Sequence, residues 1–133
     1  MDLTERFPLY AYSGIEDGFR IKLINEPDEF KESLNGFYPQ INFQNRLKEP
    51  VDLIHLFTRS KKELIVELPA LAKYLKEEGT LWVSWPDINS DHISDLNEQT
   101  VREIGLLHGF EEIEFGTIGG NWSALKFRFG RRD

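Results

Sequence analysis

Val51-Asp52-Leu53-Ile54-His55-Leu56-Phe57 is apolar at almost every position. That is the pattern of a strand covered on both faces, not of one with a wet side. Ser60-Lys61-Lys62-Glu63 follows, with the Ser-x-x-Glu spacing of a capping box, in which two free amides at a helix start are satisfied reciprocally. The helix it opens should carry Leu64, Leu68, Leu71 and Leu75 on one stripe, with a kink or division at Pro69 and an end at Gly79. Thr80-Leu81-Trp82-Val83-Ser84-Trp85 is the next strand, closed by Pro86. Strand, helix and strand in this order predict a parallel pair joined by a right-handed crossover.

The flanks extend the pattern. Phe19 to Ile24 suits a strand, ended by Glu26-Pro27-Asp28. Pro27 fits the first turn of a short helix because no amide donor is needed there. That helix carries Phe30 and Leu34 at i,i+4 and stops at Gly36, and a weaker strand lies at Ile41 to Asn45. Residues 1–18 resist assignment: Phe7 to Tyr12 is apolar but short, and Ser13-Gly14 and Asp17-Gly18 read as turns. After a polar loop at 87–94, Asp95-Leu96-Asn97-Glu98 reads as a second capping signal. It leads to a helix with Val101, Ile104 and Leu107 inward and Gly109 beyond its end. Glu112 to Ile118 and Trp122 to Phe129 are strands separated only by Gly119-Gly120-Asn121, a connection so short that it requires an antiparallel hairpin. No linker or repeat interrupts residues 1–133, which read as a single α/β domain.

The chain has 133 residues and no cysteine, so it can bury a core without staples, and a reducing cytoplasm is the expected setting. Its N-terminus does not read as a signal peptide, and no apolar run approaches the ~20 residues of a membrane span. Sixteen Lys+Arg stand against 23 Asp+Glu, a net charge of −7. An acidic domain is poorly suited to phosphate backbones, and the one dense basic group is Arg128, Arg131 and Arg132. Nucleic acid and membrane are therefore not expected as partners. The abundant aromatic residues are read as core.

The second half of the chain resembles the C-terminal half of a class I methyltransferase fold. Val51 to Phe57 resembles its fourth strand, and Leu75-Lys76-Glu77-Glu78-Gly79-Thr80-Leu81-Trp82-Val83-Ser84 its helix, glycine and fifth strand. Gly105-Leu106-Leu107-His108-Gly109-Phe110 and the hairpin at Trp122-Ser123-Ala124-Leu125-Lys126 resemble its ending. A tighter resemblance is to short bacterial proteins of unknown function that look like trimmed, degenerate versions of that S-adenosylmethionine-dependent fold. Gly79 to Pro86, Ser94-Asp95-Leu96-Asn97-Glu98 and Trp122 to Lys126 carry it, with Asp87 in place of an expected lysine. The resemblance implies a Rossmann-like three-layer sandwich with a mostly parallel six-stranded sheet ending in an antiparallel hairpin.

Against working methyltransferases, two features are missing. Their first strand leads into a glycine-rich turn that lets backbone approach the cofactor. Here it leads into Asn25-Glu26-Pro27-Asp28, with no glycine before Gly36. The acid expected at the end of the second strand is replaced by Gln44-Asn45-Arg46. Neither S-adenosylmethionine nor NAD is expected as a cofactor.

Other chemistry lacks its parts. His55, His92 and His108 have no paired spacing for a metal; His55 reads as a hydrogen-bonded core residue, His92 as a solvated loop residue and His108 as a helix-end residue. There is no Gly-x-Ser-x-Gly elbow and no P-loop. Ser13, Ser60, Ser84 and Ser123 fit turn, cap or strand positions, and Glu111, Glu112 and Glu114 fit a solvated face. Open α/β sheets bind ligands beyond the carboxyl ends of their strands. Those ends are Asn25, Glu26, Arg46, Thr58, Arg59, Ser60, Ser84, Trp85 and Asp87, a set with two arginines and an exposed-looking indole that could hold a small anionic or planar ligand. The blander expectation is that Glu26 and Asp87 pair with the arginines and Trp85 caps the core. The sequence thus favours a non-enzymatic domain, a pseudoenzyme acting through a protein partner or a small anionic ligand. The alternative is an S-adenosylmethionine- or nucleotide-binding enzyme with an altered pocket.

Overall fold

The apolar run at 51–57 becomes β3 (Val51–Phe57), inside a six-stranded sheet. In this computed structural model, residues 18–28, 30, 32, 41–87, 93–118 and 121–130 are described. The other elements are β1 (Arg20–Ile24), β2 (Asn42–Phe43), α1 (Lys61–Ala72), β4 (Leu75–Pro86), α2 (Glu98–Leu107), β5 (Phe110–Ile118) and β6 (Trp122–Phe129). The strand order is β2-β1-β3-β4-β6-β5. β2, β1, β3 and β4 are mutually parallel, and β6 lies antiparallel between β4 and β5. The sheet is therefore mixed: four strands are parallel, and the terminal hairpin ends it by inserting its second strand antiparallel next to β4.

Alternation along β3 splits the core in two. Ile54 and Leu56 face α1 and α2, packing with Leu64, Leu68, Leu71, Val101 and Ile104. Leu53 and Phe57 face the other way, with Ile21, Leu23, Phe30, Trp82 and Trp122. Asp28, Phe30 and Glu32 are helical, so helical backbone lies on both faces of the sheet and the layering expected of an α/β sandwich is present. Each large side chain so buried contributes about 1.5–3 kcal/mol. Asp52, the polar residue within the run, is held by the Arg20 amide (2.8 Å) and the Lys76 ammonium (2.9 Å).

The helix starts are set by side-chain caps. Ser60 Oγ accepts from the Glu63 amide at 3.0 Å, as its spacing predicts. At α2 the cap is Asn97, whose Oδ1 accepts from the Thr100 amide at 2.8 Å. Asp95 instead accepts from the Lys61 amide and so ties the approach to α2 onto the start of α1.

Several expectations are corrected. α1 runs through Pro69 as one helix and ends at Ala72, not at Gly79. Tyr74 O accepts from the Val51 amide at 2.7 Å, which draws the chain into the sheet, so Leu75 opens β4 instead of completing the helical stripe. Gly79 lies in β4, where its register against β3 shifts. A Cβ there would come within 2.7 Å of the Leu75 side chain and 2.9 Å of Lys76 O, which only glycine avoids. In α2, Leu107 points to solvent and Gly105 takes the inward place, because a 3.6-residue period from Val101 passes 104 and 105 and leaves 107 off the stripe. The strand expected at 41–45 shrinks to the two residues of β2. Leu34, Gly36 and the Gly119-Gly120 turn lie outside the described residues, as do Tyr10 and Tyr12.

Gly105 marks the closest helix–sheet approach: a Cβ there would sit 2.5 Å from the Phe127 ring. Gly105→Ala should gain up to ~1 kcal/mol of helix propensity and lose about 1–3 kcal/mol to overpacking. A net loss of about 1–2 kcal/mol in urea unfolding is expected; an unchanged midpoint would refute this contact. Truncation after Gly120 removes β6, with buried Ala124, Leu125 and Phe127, from between β4 and β5. The truncated chain should show no cooperative thermal transition, which differential scanning calorimetry would read.

Candidate functional site

Strand order reverses between β1 and β3, so the crevice expected of an open α/β sheet lies beyond their carboxyl ends. On the β1 side, Asn25 adopts φ 60°, a left-handed conformation that asparagine tolerates and glycine favours. Glu26 and Pro27 follow at once, and the Phe30 amide closes a turn on Pro27 O at 3.1 Å. Glu26 and Asp28 therefore bring two carboxylates to the start of this helical segment, the kind of position at which a nucleotide fold holds an anion.

On the other side, most candidate groups are engaged in holding the fold. Thr58 is buried, its amide donating to Ser84 O at 2.9 Å. Ser60 is committed to its cap. Arg59 is exposed, and its carbonyl accepts from Ser94 Oγ at 2.8 Å. Asp87 Oδ2 accepts from Ser123 Oγ at 3.0 Å. Trp85 is 3 % exposed, so it caps the core, as the blander expectation has it, and offers no exposed ring to a ligand. It alternates with Leu81 and Val83 onto the α1/α2 face, with Phe115 6.4 Å away between ring centres. Arg46 is separate from this group and lines a cleft beside β2. Among the described residues, the ion pairs join other groups than Arg46 or Arg59 with Glu26 or Asp87.

His55 and Ser84 form the buried polar centre of the sheet. His55 Nε2 lies 2.7 Å from Ser84 Oγ, and the imidazole stacks on Phe57 at 4.1 Å with Phe30 edge-on at 5.1 Å. Burial pushes its pKa well below the usual value, so the ring is neutral. It is the hydrogen-bonded core histidine that its place in the apolar run predicts. Nearby, Trp82 Nε1 is buried without a hydrogen-bond partner among the described residues, at a cost of about 1–3 kcal/mol, while Lys126 Nζ lies 5.9 Å from the same ring. His108 Nδ1 donates to Ile104 O at 2.9 Å at the end of α2. Glu111, Glu112 and Glu114, expected to be merely solvated, pair with Arg128, Arg102 and Lys126. Among the described residues, no three His, Asp or Glu gather as a metal site, and no helix is long and apolar enough to cross a membrane.

These features define a methyltransferase-like variant of the Rossmann class, and solved structures bear out the fold. A ribosomal protein L11 methylase from Lactobacillus delbrueckii subsp. bulgaricus matches with a TM-score of 0.56 at 14 % identity, over 90 % of this chain and 73 % of its own. An S-adenosylmethionine-dependent methyltransferase from Clostridium acetobutylicum matches with a TM-score of 0.58 at 10 % identity, over 85 % of both chains. An O-methyltransferase family 2 protein from Planctomyces limnophilus, solved in complex with apigenin, gives 0.66 at 9 % identity, and the chain spans half its length. At such identities the likeness establishes the fold alone. No protein-family profile matches the sequence, and no curated protein does.

Sequence reasoning missed the basic cleft beside β2. It is about 480 Å3 in volume and its walls include Phe43, Arg46 and Lys48. The signal was present in Arg46-Leu47-Lys48, but nothing local showed that these cations would flank an edge strand.

The neutral state of His55 gives stability a pH dependence of known sign. Its folded pKa is depressed, so below about pH 6.5 the unfolded chain binds more protons and stability falls with pH. The slope contributed by His55 should reach at most about 1.4 kcal/mol per pH unit. His55→Gln should be less stable at neutral pH and should lose less between about pH 6.5 and 5.5. Urea titrations at both pH values check this, and parallel losses in the two proteins would refute it.

Proposed function

We propose that this chain is a non-catalytic methyltransferase-like domain that acts by binding a protein partner. The turn after β1 carries the reading. Asn25 has a left-handed backbone, and its side chain, a carboxylate and a proline ring stand in sequence where close approach to a nucleotide requires bare backbone. The end of β2 agrees with it. Gln44-Asn45-Arg46 offers no carboxylate for ribose hydroxyls, and Asn45 O already accepts from Lys22 Nζ at 2.8 Å. The residues present do not fit S-adenosylmethionine. The His55–Ser84 pair does not supply a nucleophile, because both groups are fully buried.

The competing reading, an enzyme or cofactor binder with an altered pocket, draws support from the neighbours, whose names include S-adenosylmethionine-dependent enzymes. Thermal shift with S-adenosylmethionine and S-adenosylhomocysteine separates the two. A ligand at a hundredfold over its dissociation constant stabilises by about 2.7 kcal/mol, or roughly 8–15 °C for a domain of this size. No shift is expected with either compound; a clear shift would overturn the proposal.

A further inference from the structure

Doubly wound sheets run in the strand order 3-2-1-4-5-6. Here β2-β1-β3-β4 reproduces the centre of that order, but the chain passes from β2 to β3 through residues 44–50 alone, none of them in a strand. The place outside β2 is therefore not taken by the segment that would fill it. In a parallel ladder, successive residues bond to opposite sides. The Asn42 amide donates to Phe19 O and the Gln44 amide to Ile21 O, both at 2.9 Å. Phe43 between them turns its N–H and C=O away from β1, and neither has a partner among the described residues.

The surface along this edge is basic in a chain of net charge −7. The 480 Å3 cleft has Asn42, Phe43, Gln44, Arg46 and Lys48 among its walls. A second, of about 350 Å3, shares Gln44, Arg46 and Lys48, so the furrow continues past both cations. Arg20 is taken by Glu49 at 2.8 Å. Arg46 and Lys48 are exposed and make no ion pair among the described residues.

We propose that the β2 edge accepts an extended acidic segment of a partner protein as an added strand. Its main chain would pair with the outward N–H and C=O of Phe43, and its carboxylates would reach Arg46 and Lys48. The free backbone pair calls for a donor and an acceptor at peptide spacing, which a compact anion does not offer. A second copy is disfavoured at this edge. Symmetric β2–β2 pairing would set Arg46 and Lys48 against their own counterparts, and the carboxylates of β5 are already engaged. This inference gives the partner-binding reading a surface, and it stands whether or not adenosyl compounds shift the melting point.

The test is fluorescence anisotropy of the full chain with a labelled peptide of about ten residues alternating glutamate and valine. Binding is expected, weakened at least about tenfold in Arg46→Glu/Lys48→Glu, whose melting midpoint should stay unchanged because both positions are exposed. Two further peptides, N-methylated on odd or on even amides, separate strand pairing from charge attraction: one should bind and the other should not. Amide chemical-shift changes should centre on Phe43. No binding, equal binding of both methylated peptides, or equal binding of a lysine–valine peptide would overturn the proposal. So would displacement by inorganic phosphate at comparable concentration, or a dimer abolished by the same double substitution.

Discussion

Both faces of β3 have to be covered at once, and the positions of the other elements follow from that requirement. Ile54 and Leu56 call for the helices α1 and α2; Leu53 and Phe57 call for Ile21 and Leu23 of β1 and the helical segment bearing Phe30. A strand in this position cannot lie at an edge, so it needs paired strands on either side, which β1 and β4 supply. The polar residues it carries must then be satisfied internally. His55 meets that demand through Ser84, and Asp52 through Arg20 and Lys76. The charges and hydrogen bonds at the centre of this sheet are thus explained by folding, without recourse to catalysis.

The short link from β2 to β3 is the second determinant. A parallel crossover normally takes a dozen residues or more; residues 44–50 manage it because β2 is only two residues long. Leu47 packs onto the α1/α2 core and Lys22 reaches Asn45 O, so the link is fastened across β1. The shortening has two effects on the same side of the molecule. It sets Arg46 and Lys48 beside the end of β2, and it leaves the outer side of β2 without a covering strand from that link.

Where local chemistry decides an element, the sequence was sufficient. β3 and β6 begin and end where the apolar run and the hairpin spacing put them, and Ser60 caps α1 as its Glu63 spacing requires. The errors arose where a distant contact overrode a local pattern. Leu75 keeps the helical period of Leu64, Leu68 and Leu71, yet the Val51–Tyr74 hydrogen bond captures that segment for the sheet. Trp85, beside a polar loop, could be read as a ligand-facing ring or as a cap on the core, and strand alternation decides for the core by turning it beneath α1 and α2. At the site, the missing glycine and acid were legible because each is a local signature. The placing of Arg46 and Lys48 beside β2 was not, since it depends on how few residues separate β2 from β3.

The two ends of the sheet differ in what they permit. At the far end, β5 breaks its register between Glu112 and Glu114, and a bulge of this kind bends and twists an edge strand. Three ion pairs fasten its acidic residues inward, to β6 and α2. A strand arriving there would meet a crooked ladder and charged side chains already bound, a combination by which natural sheets resist edge-to-edge aggregation. Growth of the sheet is thereby polarised: one rim resists fibril-like extension, so a strand added at the other, as proposed, would not make the molecule a link in an endless chain.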